Sequence, residues 1–426
     1  MKVEIYPSRL HGQLLAPGSK SIAQRLVACA LLAKGQTVLS HYPESDDCQS
    51  ALQMAVSLGA LVEKKGTTIK ITGGYPNNFA SGMRNPKNVL DSGESGLGAR
   101  MFSSIAALGD HEITLTGKGT LMQRPFQTLE MALQQLGATC KTSNGLLPLT
   151  IQGPLQGGHA EVDGSVSSQF LTGLLLSLPK ASQSSEINVL NAKSLPYIDM
   201  TLAVAHLFGV QIQHQAYAHF QITNKQAYQP IQTIVPGDWS GAAFLMVAAA
   251  VASEQGVVVG HLDQVIPQAD SAILEALQKA GVKVIQKKNG YEIHQSDIQA
   301  FEFDAEHCPD LFPPLAALAS FANGVSSIHG IQRLVNKESN RAKSLQEEFG
   351  KAGIRIVLRD NEMKIYPGGI RQATINSHND HRIAMALSIL GLAGDKMVIR
   401  GAECINKSYP AFFHDLIAIG ANVKIS

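Results

Sequence analysis

The stretch TLEMALQQLGATCK (residues 128–141) decides the fold, because it joins a helix, a stop signal and a strand. Its apolar residues recur at helical spacing up to Leu136, and Gly137 follows where a left-handed helix cap is usual. An apolar, strand-like segment comes next. The same pattern recurs in ALQMAVSLGALVE, LAVAHLFGVQIQ, ILEALQKAGVKVIQ, LQEEFGKAGIRIV and FFHDLIAIGANVKI. The glycines of these six stretches are 78, 72, 72, 72 and 67 residues apart, which predicts six α/β repeats.

Each repeat contains a second predicted helix that is apolar on nearly every side, which indicates burial. These helices are SIAQRLVACALLAKG, ARMFSSIAALGD, SSQFLTGLLLSLP, WSGAAFLMVAAAVA, PDLFPPLAALASFANG and HRIAMALSILGLAG. Six repeats fit two domains of three repeats. The turn signals Pro17-Gly18 and Pro236-Gly237 occupy equivalent points in repeats one and four. We therefore predict one domain over residues 17–235 and a second over 1–16 plus 236–426.

The composition favours a compact protein, and its overall charge does not favour nucleic acid or an anionic membrane as partner. The chain has 426 residues, of which 45% are hydrophobic and 16% charged, with a net charge of +1. This balance excludes a disordered tail protein and argues against nucleic acid or a membrane surface as partner. The longest apolar runs, such as residues 242–252, are about half of the ~20 residues that cross a bilayer. The five scattered cysteines lack metal-site spacing and favour thiols in a reducing compartment, so we expect a cytoplasmic location.

Polar and cationic residues stand at the start of the apolar helices. Ser, Asp and Asn cap helices, so any single start is equally well explained by capping. Cations in the first turns are different, because the helix dipole and burial both disfavour them. Lys20, Arg25, Arg100 and Arg382 hold such positions and therefore imply a partner of opposite charge. If the helices run side by side, we expect their starts to form an anion site for a ligand with several phosphates or carboxylates.

Three other polar segments are less informative on their own. The glycine-containing loop 117–125 carries Lys118 and Arg124 but resembles a solvated turn. We predict that a helix begins near residue 336, which would place Lys337 and Arg341 on one face. Lys407 follows a predicted strand, and its sequence context alone suggests a lysine at the surface.

Taken together, these segments resemble the 5-enolpyruvylshikimate-3-phosphate synthase family (3-phosphoshikimate 1-carboxyvinyltransferases). The resemblance runs from LAPGSKSIAQR (residues 15–25) to INKSYPAFF (residues 405–413), essentially the whole chain. It also includes DGSVSSQFLT, SLPYIDM, KES with Arg341, and NDHR. It implies a two-domain, inside-out α/β barrel with three βαβαββ repeats in each domain. It also implies transfer of the enolpyruvyl group of phosphoenolpyruvate to the 5-hydroxyl of shikimate 3-phosphate, with phosphate released from a tetrahedral adduct.

The resemblance also assigns residues to each substrate. The residues that it implies for shikimate 3-phosphate are Lys20, Ser21, Arg25, Ser167, Ser168, Gln169, Ser194, Tyr197, Asp310 and Lys337. Those implied for phosphoenolpyruvate are Lys20, Gly96, Arg124, Gln169, Arg341, Arg382 and Lys407. Those implied for catalysis are Asp310, Glu338, Lys20, His381 and Lys407. We expect Asp310 to take the hydroxyl proton and favour Glu338 over Lys20 for the C3 proton of phosphoenolpyruvate. We expect no metal and no cofactor, and a monomer.

Some positions depart from the usual family pattern, and two alternative functions remain open. Glu94, Leu97, Leu195, Arg333 and Asn340 differ from residues that are frequent in the family. The sister enzyme that uses UDP-N-acetylglucosamine usually has a reactive cysteine in its mobile loop, whereas residues 118–124 contain none. A non-catalytic anion-binding protein of the same fold is the other alternative, although every implied catalytic residue is present. RNA terminal phosphate cyclases share similar repeats, but the near-neutral charge argues against them.

Overall fold

The computed structural model describes residues 1–76, 88–165, 167–262, 265–335 and 337–426. These residues divide into two compact units. Unit I contains Gly18–Val235 and Val265–Pro267. Unit II contains Met1–Pro17 and the described residues from Pro236 to Ser426 other than Val265–Pro267.

Helices of two kinds alternate along the chain. In order they are α1 Lys20–Leu32, α2 Asp46–Ser57, α3 Gly96–Ala106, α4 Gln127–Gln135, α5 Gln169–Ser177, α6 Leu195–Leu207, α7 Trp239–Ala252, α8 Ile273–Lys279, α9 Phe312–Ala319, α10 Arg341–Lys351, α11 His381–Ala393 and α12 Phe412–Ala418. The odd-numbered helices are buried almost throughout, and the even-numbered helices bury one face. The predicted pairing of a buried and a half-exposed helix in each repeat is therefore confirmed.

The strands are short and follow the helices closely. They are β1 Lys2–Tyr6, β2 Gly12–Leu15, β3 Gly35–Ser40, β4 Leu61–Lys65, β5 Thr68–Gly73, β6 Val89–Asp91, β7 Ile113–Thr116, β8 Thr139–Ser143, β9 Leu146–Gln152, β10 Gly158–Asp163, β11 Ser185–Leu190 and β12 Gln213–Gln215. The remainder are β13 His219–Ile222, β14 Gln232–Ile234, β15 Val257–Gly260, β16 Lys283–Lys287, β17 Gly290–His294, β18 Glu302–Asp304, β19 Ser326–His329, β20 Arg355–Arg359, β21 Glu362–Tyr366, β22 Ala373–Asn376, β23 Met397–Arg400 and β24 Asn422–Ile425.

The described strands form six four-stranded sheets with one common pattern. In β6-β7-β9-β8 the first pair is parallel and the next two pairs are antiparallel, and the same holds in the other sheets. In four sheets the parallel pair is joined through a buried helix, as a parallel crossover requires, whereas the pairs β14-β3 and β2-β15 bring together strands that are far apart in the chain. In unit I the sheets are β14-β3-β5-β4, β6-β7-β9-β8 and β10-β11-β13-β12, and in unit II they are β2-β15-β17-β16, β18-β19-β21-β20 and β22-β23-β1-β24.

Within each unit the buried helices pack against one another while the sheets cover them. Helices α1, α3 and α5 are in contact in unit I, and α7, α9 and α11 are in contact in unit II. Burial on all sides explains why these helices carry almost no polar stripe. This arrangement, with helices inside and sheets outside, confirms the predicted fold class.

The glycines that end the exposed helices explain the repeat. Gly59, Gly137, Gly209, Gly281, Gly353 and Gly420 all have positive φ, between 73° and 102°. A residue with a side chain is strained there, so the left-handed turn that starts the next strand requires glycine. The predicted helix ends are confirmed at all six positions.

Two predicted helix starts are wrong. The helix expected near residue 336 begins at Arg341, with Asn340 as its cap, so Lys337 and Glu338 precede it and the predicted shared helical face does not exist. Asn340 Oδ1 accepts from Lys343 N and thereby fixes the start. The helix expected from Pro309 begins as a 3-10 turn, Pro309–Leu311, before α9 starts at Phe312.

Candidate active site

In unit I the buried helices begin close together and exchange hydrogen bonds. Ser95, the cap of α3, donates to Gln24 of α1 over 2.9 Å. Arg100 Nη1 of α3 donates to Gln169 Oε1, at the start of α5, over 2.7 Å. The starts of α1, α3 and α5 therefore form one polar cluster, which we call cluster I, and it contains the predicted residues Gly96 and Gln169.

Arg25 lies buried beneath cluster I and donates to uncharged oxygens. Its Nε donates to Thr201 Oγ1 over 2.9 Å and its Nη1 to the Ser21 carbonyl over 2.8 Å. Its Nη2 reaches Thr172 Oγ1 and the Tyr197 carbonyl, each at 3.4 Å. Burial lowers the pKa of Arg25 to about 10, so the group stays charged at neutral pH but at a desolvation cost.

A second pair of arginines surrounds Gly96. A Cβ at Gly96 would lie 2.9 Å from Arg124 Nη1 and 3.0 Å from Arg100 Nη1, so a side chain at this position would crowd both guanidinium groups. Arg100 packs between the rings of Phe126 and Phe170, each 4.9 Å from its Cζ. Burial and the charge of Arg124 lower the pKa of Arg100 to about 9. The positive charge around Gly96 therefore favours an anion.

The remaining predicted residues of unit I lie on the same helix starts or next to them. Lys20 opens α1, and its Nζ forms an ion pair with Asp47 Oδ2 at 3.0 Å. Ser167 Oγ accepts from Gln169 N over 3.2 Å, and Ser168 caps α5. Ser194 caps α6 with a left-handed φ of 56°, and its carbonyl accepts from Tyr197 N.

In unit II, Asp310 meets three cations. Its Oδ1 accepts from Arg341 Nη1 at 2.8 Å and from Lys337 Nζ at 3.3 Å, and its Oδ2 accepts from Arg382 Nη2 at 3.0 Å. Partial burial lowers the pKa of Lys337, while Asp310 opposes that shift. We call Asp310, Lys337, Glu338, Arg341, Asp380 and Arg382 cluster II.

Arg341 is the centre of cluster II and is fully buried. Its Nη2 donates to Glu338 Oε2 over 2.5 Å, and its Nε donates to Asp380 Oδ2 over 2.9 Å. Three carboxylates outweigh desolvation and raise the pKa of Arg341 above its usual value. One guanidinium group thus holds both carboxylates that the sequence nominated for acid–base chemistry, Asp310 and Glu338.

Asp270 extends cluster II with a buried carboxyl group. Ser240, in the first turn of α7, donates to Asp270 Oδ2, and Asp270 Oδ1 has no hydrogen-bond partner among the described residues. Burial, followed by the charge of Asp310, raises the pKa of Asp270 to about 7, although Arg382 opposes the shift. Asp270 therefore titrates near neutral pH.

Lys407 and His381 lie at the start of α11. Lys407 is buried, and its Nζ donates to the carbonyl of Asn379 over 2.8 Å. His381 is buried as the first residue of the helix, next to the cap Asp380. The surface position suggested for Lys407 by its sequence context alone is wrong, because the turn before α11 covers it.

One group of described residues has the ligand atoms of a metal site. Atoms of Glu347, Glu348 and His378 lie within 4.8 Å of one another. The ammonium group of Lys351 already contacts both glutamates, at 3.0 and 2.7 Å. This group is separate from the predicted substrate residues. Among the described residues, no helix combines the length and apolar character that a bilayer crossing needs.

Sequence reasoning missed several charged partners. Asp47 and Asp270 were not nominated, Asp380 was included only in the NDHR motif, and Arg100 was expected to have an anionic partner but was assigned to neither substrate. Asp47 stands in the first turn of α2, where an acidic residue is expected for helix capping, so that pattern hid its pairing with Lys20. Asp270 lies in a 3-10 turn before α8 and has no signal in its surrounding sequence.

Comparison with solved structures identifies the class of fold. An EPSP synthase from Acinetobacter baumannii matches with a TM-score of 0.85 at 24% identity, covering 100% of this chain and 99% of that one. The enolpyruvyl transferase NikO from Streptomyces tendae matches with a TM-score of 0.76 at 15% identity, covering 99% and 98%. The fold is thus that of the enolpyruvyl transferases.

Sequence comparison is more specific. The family model of EPSP synthase (3-phosphoshikimate 1-carboxyvinyltransferase) matches residues 5–416. A 3-phosphoshikimate 1-carboxyvinyltransferase from Clostridium kluyveri is 34% identical over 424 residues, 99% of this chain and 98% of its own length. Another from Methanocella arvoryzae is 35% identical over 439 residues, covering both chains completely. The chain belongs to the EPSP synthase family.

Proposed function

We propose that this protein transfers the enolpyruvyl group of phosphoenolpyruvate to the 5-hydroxyl of shikimate 3-phosphate and releases phosphate. The full-length match to the family and to relatives that carry this name supports the proposal. The reaction belongs to aromatic amino-acid biosynthesis. Both substrates are polyanions, which fits clusters I and II in a chain whose net charge is only +1.

Unit I is proposed to bind the phosphate and hydroxyl groups of shikimate 3-phosphate. The backbone N–H groups and positive dipole ends at the starts of α1 and α5, with the hydroxyls of Ser21, Ser167 and Ser168, suit a phosphate. Among the described residues, the hydrogen-bond partners of the buried Arg25 are neutral oxygens, so an approaching phosphate would offset its desolvation cost. Ser194 and Tyr197 begin α6 beside these groups and are proposed to contact the ring of the same substrate.

Phosphoenolpyruvate is proposed to use arginines from each unit. In unit I, Arg124, with Gly96 and Gln169, would accept one of its anionic groups. In unit II, Arg341, Arg382 and Lys407 would neutralise carboxylate and phosphate charge. Arginine suits this task because its planar fork binds both kinds of anion through two hydrogen bonds.

The proposed chemistry needs two proton-transferring groups. One takes the proton of the attacking hydroxyl as the new C–O bond forms at C2, and Asp310 is proposed for this role with Lys20. The other gives a proton to C3 and removes it again as the C–O bond to phosphate breaks, and Glu338 is proposed for it. Arg341 holds both carboxylates through separate nitrogens, Nη1 and Nη2, which supports two distinct roles. His381 and Lys407 are proposed to stabilise the leaving phosphate.

An activity assay tests the function directly. Phosphate release from phosphoenolpyruvate is measured with shikimate 3-phosphate, and UDP-N-acetylglucosamine serves as the control acceptor. We expect turnover with shikimate 3-phosphate and none above background with the control. Turnover with the nucleotide sugar alone would assign the protein to the sister activity, and no turnover with either acceptor would favour a binding protein.

Replacing Asp310 tests the proposed base. Asp310→Asn keeps the shape but removes the proton acceptor, so we expect kcat to fall by about 10²- to 10⁴-fold. The KM for phosphoenolpyruvate should fall or stay unchanged, because Lys337, Arg341 and Arg382 lose a competing carboxylate. Steady-state kinetics with both substrates varied gives the two constants, and a kcat within threefold of the unaltered enzyme would contradict the role.

We also propose that the protein acts as a monomer in the cytoplasm. All five cysteines are buried thiols, which fits a reducing compartment. Light scattering after gel filtration should give a mass near 45.5 kDa, and twice that value would contradict the monomer.

A further inference from the structure

Glu348 of α10 is a buried carboxylate that the proposed reaction does not use. Its Oε1 lies 2.6 Å from His378 Nε2 and 2.7 Å from Lys351 Nζ, and its Oε2 accepts from the backbone N–H of Asn376 over 3.0 Å. The side chain is 0% exposed. Because a carboxylate only accepts hydrogen bonds, His378 Nε2 carries the proton in this contact.

Two of these partners hold the connection between β22 and α11: Asn376 is the last residue of β22, and His378 lies in the turn that follows. His378 and Asn379 both have left-handed backbones, with φ of 51° and 56°. Consecutive non-glycine residues rarely adopt this conformation, and it persists where surrounding contacts enforce it. The turn also bonds internally, from His378 N to Asn376 Oδ1 and from Asn379 N to Ser377 Oγ.

The end of this turn contacts groups of the candidate active site. The carbonyl of Asn379 accepts from Lys407 Nζ, and Asp380 caps α11 and accepts from Arg341. Arg382 follows within the first helical turn and reaches Asp310. Residues 376–380 therefore contact the ammonium group of Lys407 and lead directly into the helical turn that carries Arg382.

Helix α10 holds this turn at both ends. Arg341, its first residue, binds the Asp380 side chain at the end of the turn. Glu348 comes seven residues later, on the same helical face, and binds Asn376 and His378 at the beginning. Both ends of the turn are therefore bound to the same helix, α10.

We propose that Glu348 is a positioning residue that, together with Arg341, clamps residues 376–380 and so orients Lys407 and Arg382 toward phosphoenolpyruvate. The kinetic part of this inference rests on the proposed function. The clamp itself does not, because it predicts order in a segment of the ligand-free protein.

The test compares Glu348→Gln with Glu347→Gln. Glu347 is the neighbouring residue of the same helix and also binds Lys351, but its side chain is exposed, and although its carboxylate lies within 4.8 Å of a His378 ring nitrogen it forms no hydrogen bond to the turn among the described residues. We expect Glu348→Gln to raise amide hydrogen exchange in residues 376–382, whereas Glu347→Gln leaves exchange there unchanged. His378→Asn serves as a second variant, because asparagine tolerates the left-handed backbone but loses the contact with Glu348. It should raise exchange in the same segment.

Kinetics separates positioning from a purely structural role. Because small displacements of binding groups reduce catalysis steeply, Glu348→Gln should raise the KM for phosphoenolpyruvate or lower kcat by about tenfold or more. The KM for shikimate 3-phosphate should stay within twofold, and Glu347→Gln should match the unaltered enzyme.

Three outcomes decide the proposal. Exchange in residues 376–382 that is the same in Glu348→Gln and Glu347→Gln overturns the clamp. Increased exchange with unchanged kinetics reduces Glu348 to a structural residue and overturns its positioning role. If the unaltered protein shows no turnover of phosphoenolpyruvate with either acceptor, the proposed function is wrong. The hydrogen-exchange result then decides by itself whether Glu348 clamps residues 376–380.

Discussion

The two units surround their buried arginines with different kinds of partner. In unit I, Arg25 donates to hydroxyl and carbonyl oxygens, and Arg100 adds two aromatic rings. In unit II, Arg341 binds Asp310, Glu338 and Asp380, and Arg382 binds Asp310. Burial lowers the pKa of the first two arginines, whereas carboxylates raise that of Arg341.

This difference indicates two modes of anion binding. In the part of the chain that the structure describes, the hydrogen-bond partners of Arg25 are neutral oxygens, so an anion can approach this charge without competing with a carboxylate. In cluster II an anion must compete with carboxylates or share a cation with them. Cluster I is therefore suited to tight ground-state binding, and cluster II to groups whose charge changes during the reaction.

The largest expected effect is on stability. Arg341→Met leaves Asp380, Asp310 and Glu338 without their shared cation, so we expect a loss of about 3–5 kcal/mol in the free energy of unfolding. Arg25→Met removes a desolvated charge whose partners are neutral, so we expect stability within about 1 kcal/mol of the unaltered protein. Urea unfolding at neutral pH measures both.

The two methionine variants control each other, because each removes one buried guanidinium group and adds a similar apolar side chain. Equal losses of stability would show that the partners of the arginines do not matter, and would refute the distinction between the clusters.

The next effect concerns pH in unit II. The pKa of Asp270 rises from 3.8 in the unfolded chain to about 7 in the folded protein. The stability that this group contributes is thus fully present below pH 4 and is lost as the pH rises through 7. Asp270→Asn removes the titration, so its stability relative to the unaltered protein should increase between pH 4 and 8, by about 4 kcal/mol at most.

Unfolding curves of both proteins across this pH range measure the effect. Asp110→Asn is the control, since that aspartate is exposed. A stability difference between Asp270→Asn and the unaltered protein that stays constant with pH would contradict the assigned titration.

The fold was predictable from sequence because each repeat is marked by residues that are close together in the chain. A glycine after each amphipathic helix and an all-apolar second helix mark every repeat, and both features act within a few residues. The start of α10 was misplaced because Lys337 and Glu338 also suit a helix, and only the cap Asn340 fixes the boundary.

The partners of the charged residues were not predictable in the same way. The charge of Arg25 suggested an anionic partner, yet its Nε binds Thr201, 176 residues away. Arg341 and Asp380 are 39 residues apart and meet only when α10 and α11 pack together. Local sequence therefore identified the cations but did not reveal that Arg341 is compensated by carboxylates whereas Arg25 donates to neutral oxygens.

The smallest expected effect is on ligand binding by unit I. Arg25→Met should weaken shikimate 3-phosphate binding by about 10- to 100-fold, because a charge-assisted hydrogen bond to phosphate contributes about 1.5–3 kcal/mol. Arg25→Lys should recover only part of this affinity, since lysine lacks the fork that spans Thr201 and the Ser21 carbonyl. Isothermal titration calorimetry of each variant gives the dissociation constants. Because Arg25→Met is expected to keep its stability, lost affinity cannot be attributed to unfolding. Unchanged affinity in a stable Arg25→Met protein would mean that the charge of Arg25 does not contribute to binding the phosphate group.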